Sequence, residues 1–241
     1  TEEEWKATFE RLQSQNIQIV GFGGQIGNWA RPITSDFQMD LDELRRVAPR
    51  MREAGTRFLR IMSYPNPEEN PLSNDEWKAE TVRRLKELST IAEGEGVILA
   101  HENCSGYGAY AEGWLELAEA VDSPALQLIL DSGNNSLHDN DNEATWEFYE
   151  KTKSHITHVH IKSAQPNPEC GDWITCHVDE DPVQRRILQD LKNNGYDGWL
   201  SIEPHIKAAI HAGQDVDDTG EAREVWVEYT RRLEALVNSL D

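Results

Sequence analysis

The chain is short of bases and of cysteines, and it has no long apolar run. Lys and Arg number 23 against 44 Asp and Glu in 241 residues, a formal net charge of −21. Such a surface is soluble and repels phosphate backbones, so no nucleic-acid partner is expected. Cys104, Cys170 and Cys176 contain no Cys-x-x-Cys pair and leave an odd count. That disfavours a disulfide framework and points to a reducing, cytoplasmic location. No stretch approaches the roughly 20 apolar residues of a membrane span, and no signal peptide is visible, so no membrane partner is expected. The sequence also opens at Thr1 without Met, and an upstream piece, with any targeting signal in it, is expected to be missing.

What is present is an alternation of helical and strand-like runs. Helical period marks 2–14, 40–54, a long run capped by Ser73 and ending near Gly94 and Gly96, 109–121, 143–153, 181–194 and 221–239. Strand-like runs fall at 17–22, 57–62, 97–102, 126–131, 156–162 and 198–203. Such alternation means parallel strands joined by crossover helices. The reading is an α/β fold, a TIM (β/α)8-type barrel forming a single domain over 1–241. It holds six strands and seven helices, with the first strand, first helix and second strand missing. A complete six-strand domain and an open doubly wound sheet are the competing readings. The barrel is favoured because four successive strands end in functional residues, whereas a doubly wound sheet concentrates its site at one switch point. The 66–71 and 165–181 stretches read as long strand-end loops.

Those four ends are Leu99-Ala-His-Glu102-Asn, Leu128-Ile-Leu-Asp131-Ser-Gly, His158-Val-His160-Ile-Lys and Leu200-Ser-Ile-Glu203-Pro. Parallel strands bring their C-terminal ends together, where α/β enzymes keep their chemistry. Strand parity puts Asp131 with Gln127 and Ile129, His160 with His158 and Lys162, and Glu203 with Ser201. The candidate ligands therefore share the inward, polar face. Three carboxylates and one imidazole make a mostly hard-oxygen set for one divalent cation. Mn²⁺ or Mg²⁺ suits it, and Co²⁺ or Zn²⁺ is admitted by the imidazole. Such an ion polarises a carbonyl and its neighbouring hydroxyl, and a nearby carboxylate can move a proton between adjacent carbons.

These residues carry a resemblance. Asp131-Ser-Gly-Asn134, His158-Val-His160-Ile-Lys162 and Asn194-Gly-Tyr-Asp-Gly-Trp-Leu-Ser-Ile-Glu203 resemble the xylose-isomerase-like TIM-barrel superfamily of sugar isomerases and epimerases. The similarity runs from about residue 2 to the end. It implies Glu102, Asp131, His160 and Glu203 as the metal ligands, with Glu102 and Glu203 also the catalytic proton-transferring pair. It implies a small carbohydrate substrate, and a homo-oligomer is compatible with it. Two positions depart from the ketose epimerases of the group. Asn134 stands where they have a His, and Pro166 where they have an Arg. Both contacts touch the sugar, which argues against free ketose 3-epimerisation; Lys162 is available as a replacement cation. Inosose dehydratases, hydroxypyruvate isomerases and deglycosidases of 3-oxo-sugars are related members. Further rivals are a nucleic-acid-cleaving branch of the same fold, opposed by the charge, and a non-catalytic sugar-binding barrel.

Substrate-binding candidates are Lys162, Asn134, Asn103, His158, Trp173 and His205. His158 lies one inward step below His160 and reads as a support for it rather than a ligand. Asn103 has outward parity but sits where its strand ends and can turn inward. Trp29, Trp173 and His205 fall in strand-end loops. Gly21-Phe-Gly23-Gly24-Gln-Ile-Gly27 fails the dinucleotide-loop spacing, since its third glycine would fall on Ile26. It is read as a turn. Cys170, Cys176 and His177 lack the second pair of a zinc site.

Overall fold

A computed structural model of the chain describes residues 1–206 and 221–241. The chain divides into two compact units. The first holds Thr1–His101, Ser105–Gly108 and Glu116–Gln127; the second holds Glu102–Cys104, Ala109–Leu115 and Leu128–Asp241.

The first unit is built on α1 (Glu2–Ser14), β1 (Gly21–Gly23), α2 (Gln38–Ala54), β2 (Phe58–Ser63), α3 (Asn74–Glu95) and the start of β3 (Ile98–Gly106). The three strands pair in parallel, with Gly21 opposite Phe58 and Phe58 opposite Ile98. Helix α3 starts where the sequence predicts. Ser73 Oγ accepts from the Glu76 backbone N–H, and the Glu76 carboxylate accepts from Ser73. This reciprocal box satisfies two donors that a helix start otherwise leaves orphaned. Gly55 and Gly96 end α2 and α3 in the left-handed conformation that glycine adopts at least cost. Leu44, Met51, Leu59, Ile61, Leu85, Leu88 and Leu99 are almost wholly buried in this unit.

The second unit continues with β4 (Leu126–Asp131), α5 (Asn134–Asp139), α6 (Asn142–Thr152), β5 (Ile156–Ile161), β6 (Ala164–Pro166), β7 (Trp173–Thr175), α7 (Pro182–Asn193), β8 (Leu200–Ile202) and α8 (Glu221–Asn238). Helix α4 (Ala111–Val121) contributes its first turns here. Strands β4, β5 and β8 pair in parallel, with Asp131 opposite His160 and His160 opposite Ser201. Leu128, Leu130, Val159 and Ile161 are fully buried. Within each unit the ladder strands, β1 to β3 in the first and β4, β5 and β8 in the second, run parallel in chain order, which is the wiring of a TIM-barrel-type α/β fold.

Three expectations are corrected. The first strand is Gly21–Gly23, not 17–22. The Ile17 backbone N–H donates to Leu12 O and closes the end of α1, so it is not free for a ladder, and Ile17 is 49% exposed. There are eight α-helices among the described residues rather than seven. The extra one, α5, forms because the Asp131 carboxylate accepts from the Gly133 and Asn134 backbone N–H groups and so satisfies its first turn. Finally, the 165–181 stretch is not only loop. It contains an antiparallel β6–β7 ribbon, with Gln165 opposite Ile174 and Pro166 opposite Trp173.

The 21–27 glycine run serves close approach, as a turn reading requires. Gly27 has φ +65°, and a Cβ there would stand 2.3 Å from Met62 O. Nearby, Arg31 is buried between Asp40 and Glu43, at 2.7 Å from each, and Tyr64 Oη donates to Asp40 at 2.8 Å. No helix among the described residues is long and apolar enough to cross a membrane. None of the three cysteines is in a disulfide: Cys104 is half-buried, Cys170 exposed and Cys176 buried.

Candidate metal centre

The four candidate ligands all belong to the second unit. Glu102 stands midway along β3, which runs on to Gly106 rather than ending at 102 as expected, and the other three stand at or just past their strand ends. Glu102, Asp131, His160 and Glu203 each direct one ligand-type atom into a cluster whose atoms lie within 4.8 Å of one another. Strand parity does most of this work. Asp131 and His160 face each other across the β4–β5 ladder. Glu203 joins through its backbone N–H, which donates to Ile161 O at 2.9 Å and extends the β8 ladder by one step.

Each carboxylate has a distinct setting. Glu102 is buried and its Oε1 lies 2.8 Å from His160 Nδ1. Asp131 is fully buried; its Oδ1 is engaged by the start of α5, and its Oδ2 faces Lys162 Nζ at 3.1 Å. Glu203 is the accessible one, with 28% of its side chain exposed. Its Oε1 lies 3.2 Å from His205 Nε2, and its Oε2 lies 3.0 Å from Lys162 Nζ.

The charges respond to this crowding. Burial pushes the Asp131 carboxyl up to about 6, with Lys162 opposing and Glu102 and Glu203 adding. Burial also works to raise Glu203, but the His205 contact, the Lys162 ammonium and His160 override it and hold that carboxyl far below its usual range. Burial lowers His160, yet its bond to Glu102 and the surrounding carboxylates raise it overall. Lys162 is held firmly protonated: Asp131, Glu203 and Glu102 outweigh the burial that works against its charge. His158 goes the other way, down to about 4, through burial and the neighbouring His160. It is therefore a neutral imidazole. Its Nε2 shares a proton with Ser201 Oγ at 2.8 Å, and its ring meets His160 edge to face at 5.3 Å. His158 thus braces His160 from beneath, and it is not one of the four clustered residues.

The other candidates fall in different places. Asn134 Oδ1 accepts from Lys162 Nζ at 3.1 Å, and its buried Nδ2 has no hydrogen-bond partner. Asn103 is buried within β3, and its amide is spent on protein. Its Nδ2 donates to Asp131 O and Asn135 Oδ1, and its Oδ1 accepts from the Asp131 N–H at 2.6 Å. It sets the end of β4 rather than offering a free group. His205 adopts φ +50° and lies against Glu203, and its carbonyl accepts from Thr175 Oγ1 at 3.1 Å. Trp173 sits two residues from that tie, half-buried on β7. Trp29 is 53% exposed in the first unit. Sequence reasoning missed Gln184, which is fully buried and donates through Nε2 to Ser132 O and Lys162 O. A glutamine inside a helical run gives no signal of such a role.

The donor set fits a hard divalent cation. Three carboxylates face one ammonium and one imidazole, so that even with His160 protonated negative charge outweighs positive in a largely buried cluster. Unpaired charge of that kind is costly in a protein interior, and a divalent cation would balance it. The cluster, at the C-terminal ends of parallel strands of a (β/α)-barrel chain, defines a protein of the metal-competent α/β-barrel class. The family model for the xylose isomerase-like TIM barrel matches residues 1–233, and the chain belongs to that family. No curated protein sequence matches it. Among solved structures it resembles a xylose isomerase-like TIM-barrel protein from Mycobacterium smegmatis in complex with magnesium. That match has TM-score 0.73 and 16% identity, over 100% of this chain and 80% of that one. A D-tagatose 3-epimerase-like protein aligns with TM-score 0.70 and 20% identity, over 99% of this chain and 85% of the other. The 3-keto-D-glucoside 4-epimerase of E. coli aligns with TM-score 0.66 and 16% identity, over 95% and 85% of the two chains.

Proposed function

We propose that the protein is a divalent-metal-dependent sugar isomerase or epimerase acting on a polyhydroxylated carbonyl compound, with proton transfer through an enediolate. The observation that carries this reading is the convergence of Glu102, Asp131, His160 and Glu203 within 4.8 Å, with uncompensated negative charge among them. Those four residues would hold the cation, Mn²⁺ in the first place, with Mg²⁺, Co²⁺ or Zn²⁺ as substitutes. When bound, such an ion polarises a carbonyl and the adjacent hydroxyl together.

The chain's own residues supply the rest. Glu203 takes the proton from the carbon beside the carbonyl. It is the accessible carboxylate of the pair, and His205, Lys162 and His160 keep it ionised and ready to accept. In isomerisation Glu203 hands the same proton to the neighbouring carbon. In epimerisation Glu102, beside His160 and protonated at the start, gives its own proton to the opposite face, and exchange with solvent resets both carboxyls. Asp131 takes no part in proton transfer; its fixed Oδ1 keeps the carboxylate aimed. The unpaired Nδ2 of Asn134 is the donor free to meet a substrate oxygen, and His205, beside Glu203, is a second polar group at hand.

A second reading is a lyase that eliminates water or an aglycone from a 3-oxo-sugar or inosose with the same base. The replacements Asn134 and Pro166 favour it, because they remove two contacts a free ketose would use. A sugar-binding barrel without turnover is the remaining alternative. The formal charge of −21 weighs against a nucleic-acid substrate, and three cysteines outside any disulfide suit a cytoplasmic protein.

The test is a panel of ketoses, aldoses, inososes and 3-oxo-glycosides with chelator-stripped protein in D₂O, before and after adding Mn²⁺. Deuterium entering the carbon next to the carbonyl only with metal supports the reading. Product analysis then separates isomerisation from elimination. Tight metal binding with no exchange on any substrate would leave the binding barrel in its place.

A further inference from the structure

We propose that Lys162 is a resident counter-cation of the metal centre. In this role it shares Asp131 Oδ2 and Glu203 Oε2 with the divalent ion, holds those oxygens in register when no ion is bound, and weakens the ion's binding. This rests on the metal-dependent reading above. It differs from the substrate contact that the sequence suggests for this lysine.

Asp131 Oδ1 is committed to the backbone N–H groups of Gly133 and Asn134, and Glu203 Oε1 faces His205 Nε2 at 3.2 Å. Each carboxylate is left with one oxygen for a cation. Those two oxygens are the ones the ammonium faces, at 3.1 Å and 3.0 Å. Its third partner is Asn134 Oδ1 at 3.1 Å, an uncharged amide oxygen that also suits a cation. Lys162 is only 4% exposed, so reaching a substrate would mean abandoning two ion pairs.

The surrounding fold is shaped to keep the lysine there. Ser132 Oγ and Gln184 Nε2 both donate to Lys162 O, at 3.0 Å. Gly133 lies directly against the side chain, where an added Cβ would come within 2.8 Å of Lys162 Cγ. A flexible surface lysine needs no such seat. Lysine is a compact point charge on a long stem, so it can stand in for an ion that is absent and shift aside within the cluster when one arrives. Removing its charge, about 3 Å from two ligand oxygens, makes the cluster more negative towards an incoming cation.

The experiment compares Lys162→Met, Lys162→Gln and Lys162→Arg with the wild type after chelator stripping. Mn²⁺ affinity is read by titration calorimetry, and melting temperature in EDTA and in saturating Mn²⁺. Both neutral variants are expected to bind Mn²⁺ about tenfold or more tightly than wild type, a change of roughly 1.4 kcal/mol. They should melt earlier in EDTA and near the wild-type temperature in Mn²⁺. Lys162→Arg should keep an affinity close to wild type, because it keeps the charge. Unchanged or weaker Mn²⁺ binding in both neutral variants overturns the proposal. So does a neutral variant that stays unfolded in saturating Mn²⁺, since the ion should replace the missing charge. If neither wild type nor any variant binds Mn²⁺, the metal-dependent reading itself falls and carries this role with it.

Discussion

His160 Nδ1 and Glu102 Oε1 lie 2.8 Å apart, joining the end of β5 to the middle of β3 through side chains alone. The same nitrogen stands 3.9 Å from Glu203 Oε2. His160 therefore sits between the two carboxylates assigned to proton transfer, one buried and one open. That asymmetry underlies the first prediction.

Glu203→Gln should abolish exchange of the substrate hydrogen next to the carbonyl while retaining part of the metal affinity. An amide still offers a carbonyl oxygen but cannot take up a proton at neutral pH. Solvent-deuterium incorporation followed by mass spectrometry reads this directly. Exchange at the wild-type rate in the variant would move the base role to Glu102.

Asp131 serves two ends at once, and two substitutions separate them. Asp131→Asn keeps an acceptor for Gly133 N and Asn134 N but removes the charge at Oδ2. It should weaken metal binding by tenfold or more, on the order of 1.4 kcal/mol, with little change in metal-free stability. Asp131→Ala removes the acceptor as well, and should further cost about 1 kcal/mol of the kind lost with a helix cap. Chemical denaturation in EDTA distinguishes the two.

Gly133→Ala should destabilise the protein by about 1–3 kcal/mol, the usual penalty for overpacking. The new Cβ would meet Lys162 O and Cγ, both at 2.8 Å, and the carbonyl belongs to backbone that cannot swing aside. A denaturant midpoint equal to wild type would mean that the end of β5 yields more easily than its hydrogen bonds imply.

Arg31→Ala should be the most damaging substitution in the first unit. It leaves Asp40 and Glu43 facing each other in a buried setting without their shared cation. Breaking a buried ion pair by removing one partner costs about 3–5 kcal/mol. A shift in denaturant midpoint below 1 kcal/mol, a threshold well under that range, would show that the two acids find other partners.

Acid sensitivity should arise in part at Glu80. Hydrogen bonds from Arg83, then from Arg84, outweigh burial and hold this carboxyl down to about 2. A folded value below the unfolded one means that the stabilisation is present above about pH 4.5 and lost as pH falls towards about 2. Glu80→Gln should flatten the loss of stability across that window and leave other acid transitions in place. Urea midpoints measured from pH 5 down to pH 2.5 check this, and an unchanged slope would refute it.

Much of this molecule is legible in its sequence because local rules govern it. The period-2 parity of β4, β5 and β8 alone puts Asp131, His160 and Glu203 on one face, since a strand cannot turn a single side chain to the other side without a bulge. Ser73, Gly55 and Gly96 mark helix ends by backbone chemistry that needs no tertiary partner. What only the tertiary structure decided are the relations between residues far apart in the chain. Asn103 is drawn into the end of β4 by partners 28 and 32 positions away. Ile17 leaves its apparent strand because the end of α1 claims its N–H. The place of Lys162, among Asp131, Asn134 and Glu203, depends on a glycine and a buried glutamine that no motif announces. Periodicity fixes which way a side chain points. Only packing fixes which oxygens it meets, because close contact is set by the shapes of elements brought together after each has formed.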